Sequence, residues 1–496
     1  MNILGISAGF HDAGVAGIQD EKIVFASHSE RYSKIKHDAR LNPGIIQDCL
    51  DHLGKPDVIA YYERPWLKKT RQLYAGQWND LFDSWSVRKL INEVDSIGHL
   101  RNVPIKTFPH HLSHAGAGFQ TSPFQDATVV VIDAIGEWDT ITIWDARYDS
   151  KGKAKYRKLW SQKYPHSIGL MYSAFTKEVD LKPLDEEYIL MGMAAYGNSY
   201  FRDLYRATLL EDPYTLTFKH NLHLGLPMSG EYGNQQFDIA ASAQELTELL
   251  IRIVIQRAKN LGSSNNLVYM GGVALNCKAN SDLGNHFDNI WIMPNPGDAG
   301  SSLGAAALAY GRRLDWQDAY LGHDMKGPYP VKEVISELVE NKIVGVASGR
   351  AEFGPRALGN RSLLADPRGP EIKDQVNAIK RRQKFRPFAP VILEECVHDY
   401  FLMPTPWETS DYMQITAHCR EPGLFPAIVH HDGTSRVQTV PKDSRSGIRQ
   451  LLEAWYEWTG CPMLLNTSLN IRGEPMVNDR KDADRFEKKY GVRVLS

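Results

Sequence analysis

The chain has 496 residues, a length that anticipates about three domains or two large ones. With 43% apolar and 23% charged residues it reads as globular, which excludes a mainly disordered or collagenous chain. The 57 Lys and Arg nearly balance 59 Asp and Glu, so the formal charge of −2 advertises no large polyanion as partner. Asn2–Ser7 reads as a buried strand running into glycine. Val15–Ile18 and Lys22–Ala26 form a hairpin set around Gln19-Asp20-Glu21. A second buried strand is Ala127–Ile132, ending at Asp133. Ala243–Asn260 carries Leu246, Leu249, Leu250, Ile253 and Val254 at helical spacing. Asn266–Met270 is a strand ending at Gly271-Gly272, and Ile290–Met293 is another, ending in Pro294-Asn295-Pro296-Gly297-Asp298. Leu321–Pro330, with two Pro and two Gly, reads as the domain linker. Beyond it come a helix at Val331–Glu340 and a strand at Lys342–Ala347. The alternation is α/β.

The five cysteines, Cys49, Cys277, Cys396, Cys419 and Cys461, form no CxxC pair, which argues against a disulfide framework or a Cys-type zinc site. No secretory leader is visible at the start, and the mild run Ala299–Gly311 is too short to span a bilayer. A cytoplasmic protein without a membrane partner is expected.

Four groups of residues suggest chemistry. His110 and His114 lie four apart, so on a helix they share a face and could hold one metal. Asp133 and Asp298 follow predicted strands, where carboxylates act in α/β folds. Two His and two Asp suit a borderline or hard divalent ion, such as iron(II), manganese or zinc. Glycine loops at Gly271-Gly272, with Asn276, and at Gly300 could admit a phosphate, and no Walker A motif is present. In the C-terminal third, Arg356, Arg361, Lys380, Arg382 and Arg386 interleave with Phe385 and Phe388, as an anion site would. Asn466, Ser468 and Asn470 end a predicted strand with polar groups suited to a nucleotide or phosphate. The aromatic run Tyr62–Trp85, with Trp66, Tyr74, Trp78, Phe82 and Trp85, reads as packing or as a stacking surface.

Segments along nearly the whole chain resemble the nodulation-factor and antibiotic O-carbamoyltransferases (NodU/CmcH type). They include ILGISAGFHDAGVA, ERYSKIKHD, HHLSHA, MGMAAYG, MGGVALNCKAN, NPGDAGSSLGAA, EFGPRALGNRSLLADPR, IKRRQKFRPFAP and LLNTSLNIRGEP. The resemblance implies an actin-like (duplicated ribonuclease-H-like) N-terminal domain over residues 1–325. It also implies a smaller α/β domain over residues 331–496, like threonylcarbamoyl-adenylate synthase (YrdC-like). It implies that carbamoyl phosphate and ATP, with Mg²⁺, give carbamoyl-adenylate in the second domain. The carbamoyl group then passes to an acceptor hydroxyl in the first: a sugar, a natural product, or a hydroxymethylated nucleobase or nucleotide. His11 matches the family's base, with Asp12 beside it, and Glu30, Arg31 and Lys36 match an acceptor- or anion-binding segment. Lys380-x-Arg382 and Ser468-x-Asn470 look like the synthase's paired signatures. A homodimer is a further expectation. The alternatives are a tRNA N-threonylcarbamoyltransferase-like enzyme and a non-catalytic actin-like nucleotide-binding module. Three departures stand out: Ile189 where the family has lysine, Gln383 where it has glutamate, and a short final segment from Lys481 to Ser496.

Overall fold

The buried β-branched runs become the central strands of two like sheets. The computed structural model describes residues 1–74, 86–95, 98–227 and 235–496. The first sheet holds β1 (Asn2–Ser7), β2 (Gly14–Gln19), β3 (Lys22–His28), β4 (Val58–Tyr61) and β5 (Ile105–Thr107) in the order β3-β2-β1-β4-β5. The second holds β6 (Asp126–Gly136), β7 (Asp139–Tyr148), β8 (Ala154–Lys163), β9 (Asn266–Met270) and β10 (Asn289–Trp291) in the order β8-β7-β6-β9-β10. In each, the first strand pairs antiparallel with the second and parallel with the fourth, and the fourth pairs parallel with the fifth. One arrangement is therefore built twice, as the duplicated ribonuclease-H-like expectation requires.

Four helices of this part matter below: α1 (Pro65–Tyr74), α2 (His110–Thr121), α3 (Gln236–Leu261) and α4 (Ser301–Tyr310). α4 packs on the first sheet, α2 on the second, and the two helices pack on each other. Their crossing is a backbone contact: a Cβ on Gly304 would stand 1.8 Å from the Ser113 carbonyl oxygen. Small residues in α4 (SSLGAAALAY) let the sheets share one thin helical layer, and every residue from Ser301 to Ala307 is buried.

The C-terminal part contains β11 (Tyr320–Met325), β12 (Ile343–Ala347), β13 (Gly349–Glu352), β14 (Arg361–Ala365), β15 (Ala389–Leu393), β16 (Gln438–Val440), β17 (Met463–Ser468) and β18 (Val494–Leu495). Six of these form one mixed sheet, β16-β15-β17-β14-β12-β18. Val344, Leu363, Val391 and Leu464 line its core, against Trp455 of α6 (Gly447–Thr459) and Phe486 of α7 (Arg480–Tyr490). Helix α5 (Ile372–Ile379) leads into the basic segment.

The division of the chain corrects the expected boundaries. One unit is Met1–Ala26 with Ala39–Gln317, and the other is Ser27–Asp38 with Asp318–Ser496. Half of the stretch read as linker is β11, which pairs antiparallel with β13, so the GP-rich composition marks only the turn after Met325. Ser27–Asp38 joins the second unit through specific bonds. Arg31 Nη2 donates to the Gly354 carbonyl at 3.1 Å, Lys34 pairs with Asp482, and the His28 ring lies 5.7 Å from that of Phe353.

Candidate active site

In the first unit, the helix begins at His110, so the two histidines one turn apart point the same way. β6 is irregular between Ile132 and Gly136, and Asp133 sits in that irregularity, turned out of the ladder. Asp298 opens the turn before α4. The four side chains meet. His110 Nε2 is 3.1 Å from His114 Nε2, and 3.2 Å from both Asp133 Oδ2 and Asp298 Oδ1. His114 Nε2 lies 3.7 and 3.3 Å from the same two oxygens. Ligand atoms about 2.1 Å from a shared ion would stand about 3.4 Å apart in a tetrahedral shell, so these separations fit one ion.

The surroundings support that fit. His114 Nδ1 donates to the Pro296 carbonyl at 3.0 Å, which leaves the Nε2 lone pair facing the cluster. Asp133 Oδ1 accepts from the Gly272 amide at 3.2 Å. Asp298 Oδ1 is buried and, among the described residues, faces only the two imidazole Nε2 atoms, with no hydrogen bond made to it. Burial alone would lower the pKa of His110, but the Asp298 and Asp133 carboxylates hold it well above the ordinary imidazole value. Burial would raise Asp133, yet His110 and His114 hold it well below the usual carboxylate range. His111 turns away to Thr142 Oγ1 at 3.0 Å. Burial, then His110, pushes its pKa well down, so it is neutral.

Two carboxylates that the sequence reading passed over back this cluster. Glu63 Oε2 lies 4.0 Å from His110 Nδ1, and Glu137 accepts from the Arg64 amide at 2.6 Å. Glu63 sits just past the end of β4, the same strand-end position that singled out Asp133. That signal was present in the sequence.

His11 and Asp12 stand in the loop after β1, about a quarter exposed. His11 Nδ1 is 2.9 Å from Asp12 Oδ2, and Nε2 is 2.9 Å from the Leu184 carbonyl oxygen. Both ring nitrogens thus face acceptors, so Nε2 can take a proton only after it leaves the Leu184 carbonyl. The glycines have local steric reasons. Gly271 takes φ +93°, and a Cβ there would stand 2.2 Å from the Ile132 carbonyl oxygen. A Cβ on Gly272 would meet Asp133 Oδ1 at 3.1 Å, and one on Gly300 would stand 1.9 Å from the Asn295 oxygen. Asn276 caps the next helix and exchanges bonds with Gln244 at 3.0 and 3.1 Å.

In the second unit the basic residues separate into different kinds. Arg361 is wholly buried and donates to five backbone carbonyls, those of His323, Ser348, Gly349, Asn360 and Asn478. Burial lowers its pKa to about 10. It is a structural cation rather than the anion contact the sequence suggested, because no donor is left for a ligand. Beside it, Glu352 Oε1 accepts from the amides of Leu358, Asn360 and Arg361 at 2.8, 2.9 and 3.1 Å and so shapes the loop that carries Arg356. Lys380 ends α5. Its Nζ contacts the Ser468 carbonyl, Ser468 Oγ at 3.2 Å, the Asn470 carbonyl at 2.9 Å and Asn470 Oδ1 at 3.0 Å. Burial, then Arg382 and Arg386, lowers its pKa well below the ordinary lysine value. Arg382 bonds Asn377 Oδ1 at 2.6 Å and lies 3.9 Å from the Phe388 ring centroid. Asn466 is buried, giving its amide to Ala357 and Gln438. Arg356, Arg386 and Lys36 are half-buried. Arg31 is buried, its Nε 3.9 Å from Glu30 Oε1 and its Nη1 without a hydrogen bond among the described residues, and Glu30 accepts from the His37 amide at 3.0 Å. Of the aromatic run, Trp66 is 62% exposed, while Trp78, Phe82 and Trp85 lie outside the described residues.

Comparison with known proteins assigns the class. Residues 2–64 and 77–307 match the family model "Carbamoyltransferase N-terminus", and residues 335–496 match "Carbamoyltransferase C-terminus". The chain belongs to the carbamoyltransferase family and is an enzyme of carbamoyl transfer. It is 30% identical to nodulation protein NolNO of Sinorhizobium fredii, over 95% of this chain and 76% of that protein. It is 34% identical to an uncharacterized protein of Synechocystis sp., over 98% and 94% respectively. Among solved structures, component A of Acidaminococcus fermentans (R)-2-hydroxyglutaryl-CoA dehydratase covers 62% of this chain, and 98% of that chain is matched, at 16% identity and a TM-score of 0.34. At that score the likeness bears no weight, and the fold rests on the strand order. No helix among the described residues is long and apolar enough to cross a membrane.

Proposed function

We propose that the enzyme is an ATP-dependent O-carbamoyltransferase working through carbamoyl-adenylate. The carrying observation is Lys380, held by the Ser468 and Asn470 oxygens at the end of β17. That meeting joins the two segments resembling the threonylcarbamoyl-adenylate synthase signatures. In this reading carbamoyl phosphate loses phosphate to water, giving carbamate. A carbamate oxygen attacks the α-phosphorus of Mg²⁺-bound ATP, the α–β bond breaks, and pyrophosphate leaves. Two polyanions must approach each other, and Lys380 with Arg356, Arg382 and Arg386 supplies positive charge for that approach.

In the second half-reaction an acceptor hydroxyl attacks the carbamoyl carbon, the bond to AMP breaks, and AMP leaves. His11 takes the hydroxyl proton at Nε2 once that nitrogen releases the Leu184 carbonyl, and Asp12 steadies the imidazolium at Nδ1. His110, His114, Asp133 and Asp298 would hold a divalent ion, iron(II) by this reading, which when bound supplies Lewis acidity. Gly272 and Pro296 keep Asp133 and His114 oriented toward it. The acceptor is a small molecule with a hydroxyl group.

A paired assay tests the scheme. Lys380→Ala should fail with carbamoyl phosphate plus ATP yet carbamoylate an acceptor given preformed carbamoyl-adenylate. His11→Asn should do the opposite, releasing pyrophosphate but little product. A folded Lys380→Ala protein that is dead with preformed adenylate overturns the division of labour.

A further inference from the structure

Helix α1 places two cations against the loop that carries His11. Lys68 Nζ lies 4.8 Å, and the Arg71 guanidinium carbon 5.7 Å, from the centroid of the Phe10 ring. Lys68 is engaged: its Nζ is 3.3 Å from Glu63 Oε1 and 3.2 Å from the Gly9 carbonyl oxygen. Arg71 differs. It is only 4% exposed, yet its guanidinium has no hydrogen bond or ion pair among the described residues. Among the described residues, Glu63, Tyr62 and Tyr164 act on its charge, and burial, then Arg71, lowers the pKa of His223. Glu63 already serves Lys68 and faces His110, so it does not neutralise Arg71 by contact.

A guanidinium withdrawn from water without a bound anion is costly, by several kcal/mol in ordinary cases. A protein keeps such a group where a ligand brings the missing charge. The neighbourhood is open on one side: Phe10, the residue before His11, and Leu184, whose carbonyl meets His11, are each 40% exposed. The nucleotide reading belongs elsewhere, to the loops of Gly271 and Gly300 on the second sheet and α4. Building on the carbamoyl-transfer reading above, we propose that Arg71 binds an anionic group of the acceptor, making the acceptor an alcohol that also carries a phosphate or a carboxylate. The planar fork of arginine matches either group with paired N–H donors. Phe10 and Leu184 would flank the acceptor's body while its hydroxyl reaches His11.

The test is calorimetric binding to the full-length protein of alcohols taken in pairs: ribose and ribose 5-phosphate, uridine and uridine 5′-monophosphate, glucose and glucuronate. The phosphate and carboxylate pairs distinguish the two anion types. At least one anionic member should bind wild type about tenfold or more tightly than its neutral counterpart. Arg71→Met should abolish that advantage, and Arg71→Lys should restore part of it. If Arg71→Met melts early, the Lys variant and wild type still decide the matter. Equal binding of every pair by wild type, or a preference that survives loss of the guanidinium, overturns the proposal. ATP–pyrophosphate exchange by wild type is measured alongside. Its absence would count against the carbamoyl-adenylate reading while leaving the binding preference standing.

Discussion

The four-residue cluster of the first unit and the Arg361 site of the second are both buried, polar and built on strand ends, but they are finished differently. Arg361 is complete within the protein, with five carbonyls satisfying its donors. The His110–His114–Asp133–Asp298 group converges lone pairs on one point and leaves Asp298 Oδ1 with no hydrogen bond made to it among the described residues. A buried group whose every bond is made holds a fold. One whose lone pairs converge on a shared point can hold a ligand there.

The largest effect should come from the convergent cluster. His110→Ala/His114→Ala should lose bound metal and carbamoyl transfer altogether, read by elemental analysis and product mass spectrometry. Full metal occupancy in the double variant would sink the assignment. Next, Lys380→Ala and Arg382→Ala should each lower carbamoyl phosphate-dependent ATP–pyrophosphate exchange about a hundredfold, the scale for losing an anion contact in a transition state. Normal exchange in both would make them structural cations of the Arg361 kind and overturn the anion-binding role. Arg361→Met sharpens the contrast from the other side. It should cost on the order of 3–5 kcal/mol of stability in urea unfolding, because five carbonyls lose their donor. The metal content of molecules still folded should stay the same. A stable Arg361→Met protein would mean the site is less complete than its geometry indicates.

The smallest effect is electrostatic. Arg449 pairs with Glu395 at 2.7 Å and holds its pKa at about 2, against an ordinary 4.5. A depressed carboxylate contributes stability that is present above its unfolded pKa and fades as pH falls toward the folded one. Glu395 is about a third exposed, so solvent screens the pair to about 1 kcal/mol or less. Glu395→Gln should therefore melt slightly below wild type at pH 7, and the gap should close by about pH 2. A gap that does not change with pH would assign the loss to packing.

Much of this was legible in the sequence, for physical reasons. Buried runs such as Val129–Ile132 and Leu267–Met270 can only be central strands, and carboxylates just past them stand at sheet ends. The helical spacing of His110 and His114 puts both rings on one face. Other features were not legible. β8 (AKYRKLWSQK) has four charged residues in ten and carries no clean alternation. β11 hides in a stretch whose Gly and Pro residues suggest only a loop. The composition around Arg361 and Lys380 is alike, and only the fold shows that Arg361 faces carbonyls alone while Lys380 also meets the Ser468 hydroxyl and the Asn470 side-chain oxygen. Arg71 has no motif at all; its significance comes from what surrounds it once α1 is placed.

The chain passes between its two units three times, at Ala26/Ser27, Asp38/Ala39 and Gln317/Asp318. Cutting the gene after Gln317 therefore does not release a whole second unit. The fragment 318–496 would leave the Gly354 carbonyl without Arg31 and Asp482 without Lys34. Evolution by domain shuffling meets the same barrier, since a C-terminal part imported from a relative must match a twelve-residue strip, Ser27–Asp38, encoded far upstream of Asp318. Recombinants between such enzymes should survive only when residues 27–38 travel with the C-terminal part.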